Sequence, residues 1–255
     1  QKHRGTSLVL AGDSQPPLVH ALAHAMNQAL GNVGTTAIHT EPIEANPANQ
    51  GDSLRELVRD MEANGVQVLI MIGGNPVYTA PADLNFGSLL VKSNFSVHLS
   101  LYDDETSALC HWHIPEAHYL ESWSDVRAFD GTASIIQPLI APLYEGRTAH
   151  EILATLMSDP GRTSYEIVRD YWKQQHPGPD FETFWRTVVH DGVVHRTGAP
   201  AKQVVLKRNL FSLAAFREEQ AQTQAGSAKT NKNDLEVLFR LDPTIYDGRF
   251  ANNGW

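Results

Sequence analysis

The segment from Val66 to Ile72, VQVLIMI, is almost continuously apolar and stops on Gly73-Gly74-Asn75-Pro76. An apolar run of strand length, bounded by turn residues, is the pattern of a strand covered on both sheet faces. Strands of that kind belong to parallel sheets whose crossovers are helical. The glycines supply positive φ and the proline fixes the exit, so one reading of GGNP is simply a turn. The other reading comes from position, because open α/β sheets bind ligands just outside the carboxyl ends of their strands.

The flanking sequence extends the pattern. Thr6–Ala11 (TSLVLA) reads as a strand closed by Gly12, and Leu18, Leu22, Met26 and Leu30 recur at helical spacing until Gly31-Asn32. Thr35–Thr40 reads as a second strand. Ser53 with Glu56 forms a capping-box pattern for a helix through Leu54, Leu57, Val58 and Met61, ending near Asn64-Gly65. After GGNP come a helical stretch around Leu84–Lys92, a strand over Phe95–Leu101, a short helix over Glu105–Cys110 and a strand over His111–Pro115. The alternation predicts an α/β fold: a Rossmann-like parallel sheet with helices on both faces.

Between Leu120 and Gly146 periodic signals are few, and the chain is expected to wrap across the sheet before a helix over His150–Met157. Ser164–Gln175 and Phe181–His190 read as amphipathic helices anchored by Tyr171, Trp172, Phe184 and Trp185. Gln203–Lys207 resembles a strand, Leu213–Gln222 a polar helix and Leu235–Leu241 a last strand. The expected organisation is an α/β domain over 1–157, a mainly helical extension over 158–222, and a flexible linker with the start of a further segment over 223–255, as in an excised piece of a larger protein.

Charge narrows the partners. Acidic residues outnumber basic ones 29 to 20, a formal net charge of −9, so the chain repels phosphate backbones and nucleic acid is not an expected partner. No run of eighteen apolar residues is present, so direct membrane insertion is not expected. A single cysteine, Cys110, excludes an internal disulfide and any all-cysteine metal or iron–sulfur site built from this chain alone.

Motifs for self-sufficient chemistry are missing. The first turn, GDSQPP, has no GxGxxG fingerprint, which disfavours ordinary dinucleotide binding; Asp13 or Ser14 there reads as a helix cap. There is no GxSxG, and Cys110 ends an apolar helix, where a thiol is commonly inert. Among the twelve histidines, His20 and His24 lie one helical turn apart, and His111 and His113 share a strand face near Glu116, His118 and Glu121. No zincin spacing joins them, so packing or surface roles are expected. Asp103, Asp104 and Glu105 follow a strand and are expected to cap the next helix.

Taken together, GDSQPPLVHALAHAMNQALGNVG, IGGNP and FSVHLSLYDDETSALCHWHIPEAHYLESWSD resemble the molybdopterin oxidoreductases of the dimethyl-sulfoxide-reductase type. DGTASIIQPLIAPLYEGRTAHEIL and DPTIYDGRFANNGW look closest to one branch, the molybdopterin-oxidoreductase-like large subunit of alternative complex III, a quinol-oxidising membrane complex. The family phrase "TETA…AD" departs here, with Cys110 and His111 standing for its Ala-Asp. In active relatives the resemblance implies a molybdopterin guanine dinucleotide held by strand-end loops. By position the candidates are Gly12, Asp13, Gln15, Gly73, Gly74, Asn75, Pro76, Asp103, Glu105 and Thr106.

The branch implies a scaffold without cofactor in this fragment, with iron–sulfur clusters in another half of the same subunit. That half and other subunits would be its partners, on the periplasmic side of the cytoplasmic membrane. Physical chemistry leans the same way: the expected ligand-facing ends carry Asp13, Asp83, Asp103, Asp104 and Glu105, with Lys92 the nearest base in sequence, and a diphosphate is poorly served. The alternatives are a cofactor-binding domain of an active oxidoreductase and a stand-alone nucleotide-binding module.

Overall fold

The computed structural model describes residues 2–206, 242 and 244–246. The chain divides into two compact units, Pro42–Ala199 and a second one built from the residues up to Glu41 with those from Pro200 onward.

In the Pro42–Ala199 unit, α2 (Gln50–Glu62) leads into β1 (Val68–Ile72). A short α3 (Pro76–Thr79) and α4 (Phe86–Leu90) connect to β2 (Phe95–Ser100), and a 3-10 turn over Ser107–Leu109 leads to β3 (Trp112–Pro115). The three strands form a parallel sheet in the order β1-β2-β3, with Leu69 beside Ser96, Met71 beside His98 and His98 beside His113. A parallel sheet with flanking helices is the α/β class that the VQVLIMI run requires. Leu69 and Met71 project onto Val58 and Met61 of α2 and Phe86 and Leu90 of α4, and this cluster is the core beneath the sheet.

One face of the middle strand is polar and buried. Ser96, His98 and Ser100 share the side of Leu69 and Met71, and all three are at most 4% exposed. On the opposite side of β1, Val68 and Ile72 remain exposed.

The helix after Pro42 is capped differently from the sequence expectation. Asn49, not Ser53, is the N-cap: its side chain accepts the N–H of Asp52, and Ser53 lies one turn inside. Both residue types favour the cap, so the earlier start adds a turn of helix without loss of capping.

The segment over 120–146 is not featureless. It supplies β4 (Ser124–Arg127) and β5 (Ala133–Ile136), which pair antiparallel with each other and with β6 (Val193–Val194). After α5 (Ala149–Leu156), α6 (Ser164–Gln175) and α7 (Phe181–Asp191) pack on this second sheet. Val168, Trp172, Phe181, Trp185 and Val188 meet Ala133, Ile135 and Val194 there. The strands are four residues or fewer, too short for their alternation to stand out. Trp172 and Trp185 are buried anchors, Phe184 packs at the edge of the cluster, and Tyr171 is largely exposed. Thr148 and Thr163 each head a helix with a capping box to Glu151 and Glu166.

In the other unit, α1 (Pro17–Ala29) is the principal element. No strand forms over 6–11. The carboxamide of Asn27 takes both backbone groups of Val9, accepting its N–H at 2.9 Å and donating to its carbonyl at 2.7 Å, so the extended stretch is satisfied by a side chain and needs no neighbouring strand. Nor does 35–40 form one: the Asn32 carbonyl accepts the N–H groups of Thr35, Thr36 and Ala37, which curls the segment into a turn. Pro16 occupies the N-cap of α1 and makes no side-chain capping bond of its own. Residues 203–206 carry no strand, and the helix and strand expected over 213–222 and 235–241 lie outside the described residues. No described helix is long and apolar enough to cross a membrane.

Candidate functional site

The carboxyl ends of β1 and β2 carry most of the candidate residues, and hydrogen bonds tie their two loops together. Gly73 and Gly74 both have positive φ, 66° and 71°, the conformation that lets the chain double back after β1, and the space above each Cα is open. The N–H of Gly73 donates to the Leu99 carbonyl at 2.7 Å, continuing the β1–β2 ladder by one bond.

Asn75 is spent on its neighbours. Its Nδ2 donates to Glu105 Oε2 at 2.6 Å, and its Oδ1 accepts from Thr106 Oγ1 at 2.7 Å. The Thr106 hydroxyl, fully buried, in turn accepts the N–H of Val77 at 3.0 Å. Pro76 opens α3, where its missing N–H is no loss. The bond from Asn75 holds the Glu105 carboxyl below the ordinary carboxylate range, because the ionised oxygen is the better acceptor.

Below the loops sits His98, completely buried. Its Nε2 lies 3.0 Å from the Gly74 carbonyl, and its Nδ1 lies 2.8 Å from Ser107 Oγ and 3.6 Å from Asp104 Oδ1. Asp104 Oδ1 also accepts the N–H groups of Thr106 and Ser107 at 3.0 and 2.9 Å, capping the 3-10 turn as a carboxylate at that place should. Ser100 Oγ links onward to Ser107 and to His113 Nε2, each at 3.3 Å. Asp103 stays exposed on the same loop. At the end of β3, half-buried Glu116 has its carboxyl pushed above the usual range by burial.

The structure thus joins Gly73, Gly74, Asn75, Pro76, Glu105 and Thr106 in one constellation, with Asp103 beside it. Gly12, Asp13 and Gln15 belong to the other unit, where they form an exposed turn closed by the Gln15 N–H on the Gly12 carbonyl at 2.9 Å. His98, Ser100 and Ser107 were not singled out from the sequence. In FSVHLSL the alternation offers Val and Leu as the obvious interior face; Leu99 is indeed buried, but the Ser and His side is buried as well, and no local signal marks that polar side as covered.

The remaining chemistry-bearing side chains have structural surroundings. Cys110 ends the 3-10 turn, and burial raises its thiol pKa, with a bond to Ser96 opposing. His111 Nδ1 lies 2.9 Å from the buried Ser96 hydroxyl. His24 faces His39, with ring centroids 5.6 Å apart. Among the described residues no group of three or more His, Cys, Asp or Glu is placed to hold a metal ion.

An open depression of about 370 Å³ lies beside α3 and α4, lined by Val77, Pro81, Asn85 and Phe86 among others. It does not include Asn75 or Glu105. Neither a family model nor a curated protein matches the chain.

Proposed function

We propose that this chain is a scaffold domain, without its own cofactor, of the large molybdopterin-oxidoreductase-like subunit of an alternative complex III. The wording of the sequence supplies the family, and one observation favours the scaffold over a cofactor site. Asn75, the polar side chain of the GGNP turn, has both ends of its amide engaged by Glu105 and Thr106. A ligand would have to break short bonds, one to a carboxylate, before Asn75 could serve it. The groups around it are acidic, which suits a diphosphate badly.

A packing role also accounts for the strip of exposed apolar side chains after β5. Leu139, Leu143 and Tyr144 are 77%, 69% and 80% exposed, within an uncharged stretch over 131–144. Such surface is normally covered in an assembly. The partners in this reading are the iron–sulfur half of the same subunit and neighbouring subunits, on the periplasmic side of the membrane. Metal analysis and mass spectrometry of the intact subunit test it: no stoichiometric molybdenum or pterin is expected, and finding both overturns the scaffold reading.

One observation favours the rival, a domain that binds molybdopterin guanine dinucleotide in an active oxidoreductase. The backbone at Gly73 and Gly74 is open to close approach, as a binding turn would be. In that case Asn75→Ala or Asp103→Ala lowers cofactor occupancy of the intact subunit. A stand-alone nucleotide module would instead give heat when the chain is titrated with guanine nucleotides.

A further inference from the structure

We propose that the face of the parallel sheet turned away from α2 and α4 docks against the same face of a second copy of this chain. The run VQVLIMI is apolar on both of its sides, the pattern of a strand with a layer on each face. Yet α2 and α4 both lie on one face, that of Leu69 and Met71. Topology explains the asymmetry. β1, β2 and β3 succeed one another in sheet order, and right-handed crossovers that advance in one direction keep their connections on one side.

The register defines the other face. Val68 stands beside Phe95, Ile70 beside Val97, and Val97 beside Trp112, so an apolar surface runs across all three strands. Val68, Ile72, Phe95 and Trp112 are 56%, 42%, 39% and 62% exposed. Leu99, beside Ile72, is buried, so the open part lies toward the amino ends of the strands and along the two outer ones.

Size and chemistry select the occupant. A large aromatic side chain carries roughly 150–250 Å² of surface, so these partial exposures come to roughly 500 Å² per copy. Two such faces together remove about 1,000 Å², the least that a specific interface needs. None of these side chains bears a charge, so two copies, each with a formal net charge of −9, meet here without burying one. A contact through acidic surface would add repulsion instead. Interfaces between identical chains are the more apolar kind, with aromatic side chains enriched. Stacked sheets lie about 10 Å apart, which leaves room for the aromatic side chains of one face among the aliphatic ones of the other. The proposal goes beyond the scaffold reading and does not rest on it, because the sheet face is the same with or without a cofactor.

Sedimentation velocity of the full chain from about 1 to 100 μM should show monomer giving way to dimer, as suits an interface of modest size. Trp112→Glu places a carboxylate on the face of both copies, so its cost enters twice: a tenfold loss at each site weakens the dimer about 100-fold. Leu143→Glu, on the apolar strip after β5, should leave the dimer unchanged. Hydrogen exchange at the amides of α6 and α7 checks that each variant is folded. Hydroxyl-radical footprinting of the unsubstituted chain needs no variant, and labelling of Trp112 and Phe95 should be lost as the dimer forms. A monomer throughout, an open-ended series of oligomers, or a dimer untouched by Trp112→Glu in a folded variant overturns the proposal. So does a dimer abolished equally by Leu143→Glu, or Trp112 labelling that stays constant through association.

Discussion

Replacing Thr106 by valine tests whether the hydroxyl, and not the bulk of the side chain, joins the two loops. Valine is close to threonine in shape, so the fully buried position stays filled while two bonds are lost: the donation to Asn75 Oδ1 and the acceptance from Val77 N–H. A hydrogen-bonding group left unsatisfied away from water costs about 1–3 kcal/mol. Asn75 Oδ1, only half-buried, regains part of its loss from solvent, so the total should be about 2–3 kcal/mol. With a urea slope of about 1–3 kcal/mol per molar, the unfolding midpoint falls by roughly 1 M. Thr106→Ser is the control: it keeps the hydroxyl and loses one methyl, for about 1 kcal/mol. Hydrogen exchange sharpens the test, because the Val77 amide should lose protection in Thr106→Val and keep it in Thr106→Ser. Equal destabilisation by the two variants, or an unchanged Val77 amide in the valine variant, would refute the assignment of the hydroxyl as the link.

Gly146→Ala should destabilise by at least about 2 kcal/mol, since the added Cβ would lie 2.9 Å from the Ala117 nitrogen and 3.0 Å from its Cα, backbone atoms held by the pairing of 115–117 with Arg147; a midpoint equal to wild type would show that this segment yields. Glu116→Gln should raise the urea midpoint at neutral pH. Burial raises the folded-state pKa of Glu116, so ionisation disfavours the fold as pH climbs through the range above the unfolded value. The gain must therefore vanish below about pH 4, where the carboxyl is protonated in both states, and a gain of the same size there would contradict the cause given. Cys110 should react with iodoacetamide more slowly at pH 8 than a free cysteine does, because burial keeps its thiol protonated; modification at the free rate, followed by mass, would count against that surrounding.

The apolar run VQVLIMI and the turn residues after it were enough to place a parallel strand and its exit loop, and with them the α/β class, because periodicity and glycine chemistry act over a few neighbouring residues. The helices over 164–175 and 181–191 were equally legible, since each begins at a polar boundary and repeats its large side chains at helical spacing. What failed locally failed for a shared reason. TSLVLA has strand propensity, but the Asn27 carboxamide, eighteen residues away, satisfies Val9 and removes the need for a partner strand. FSVHLSL alternates correctly and Leu99 is buried as expected, but that the Ser and His side is equally covered depends on the segments packed over it. GGNP and DDET were each visible as strand-end loops. That Asn75 reaches across to Glu105 and Thr106, and that His98 sits beneath both loops, depends on pairing β1 with β2 across about thirty residues of sequence, as their contacts span. The sequence alone determined where the chain turns and which segments are apolar; only the tertiary structure decided which polar side chains those turns bring into contact, because hydrogen bonding between distant segments leaves no periodic trace.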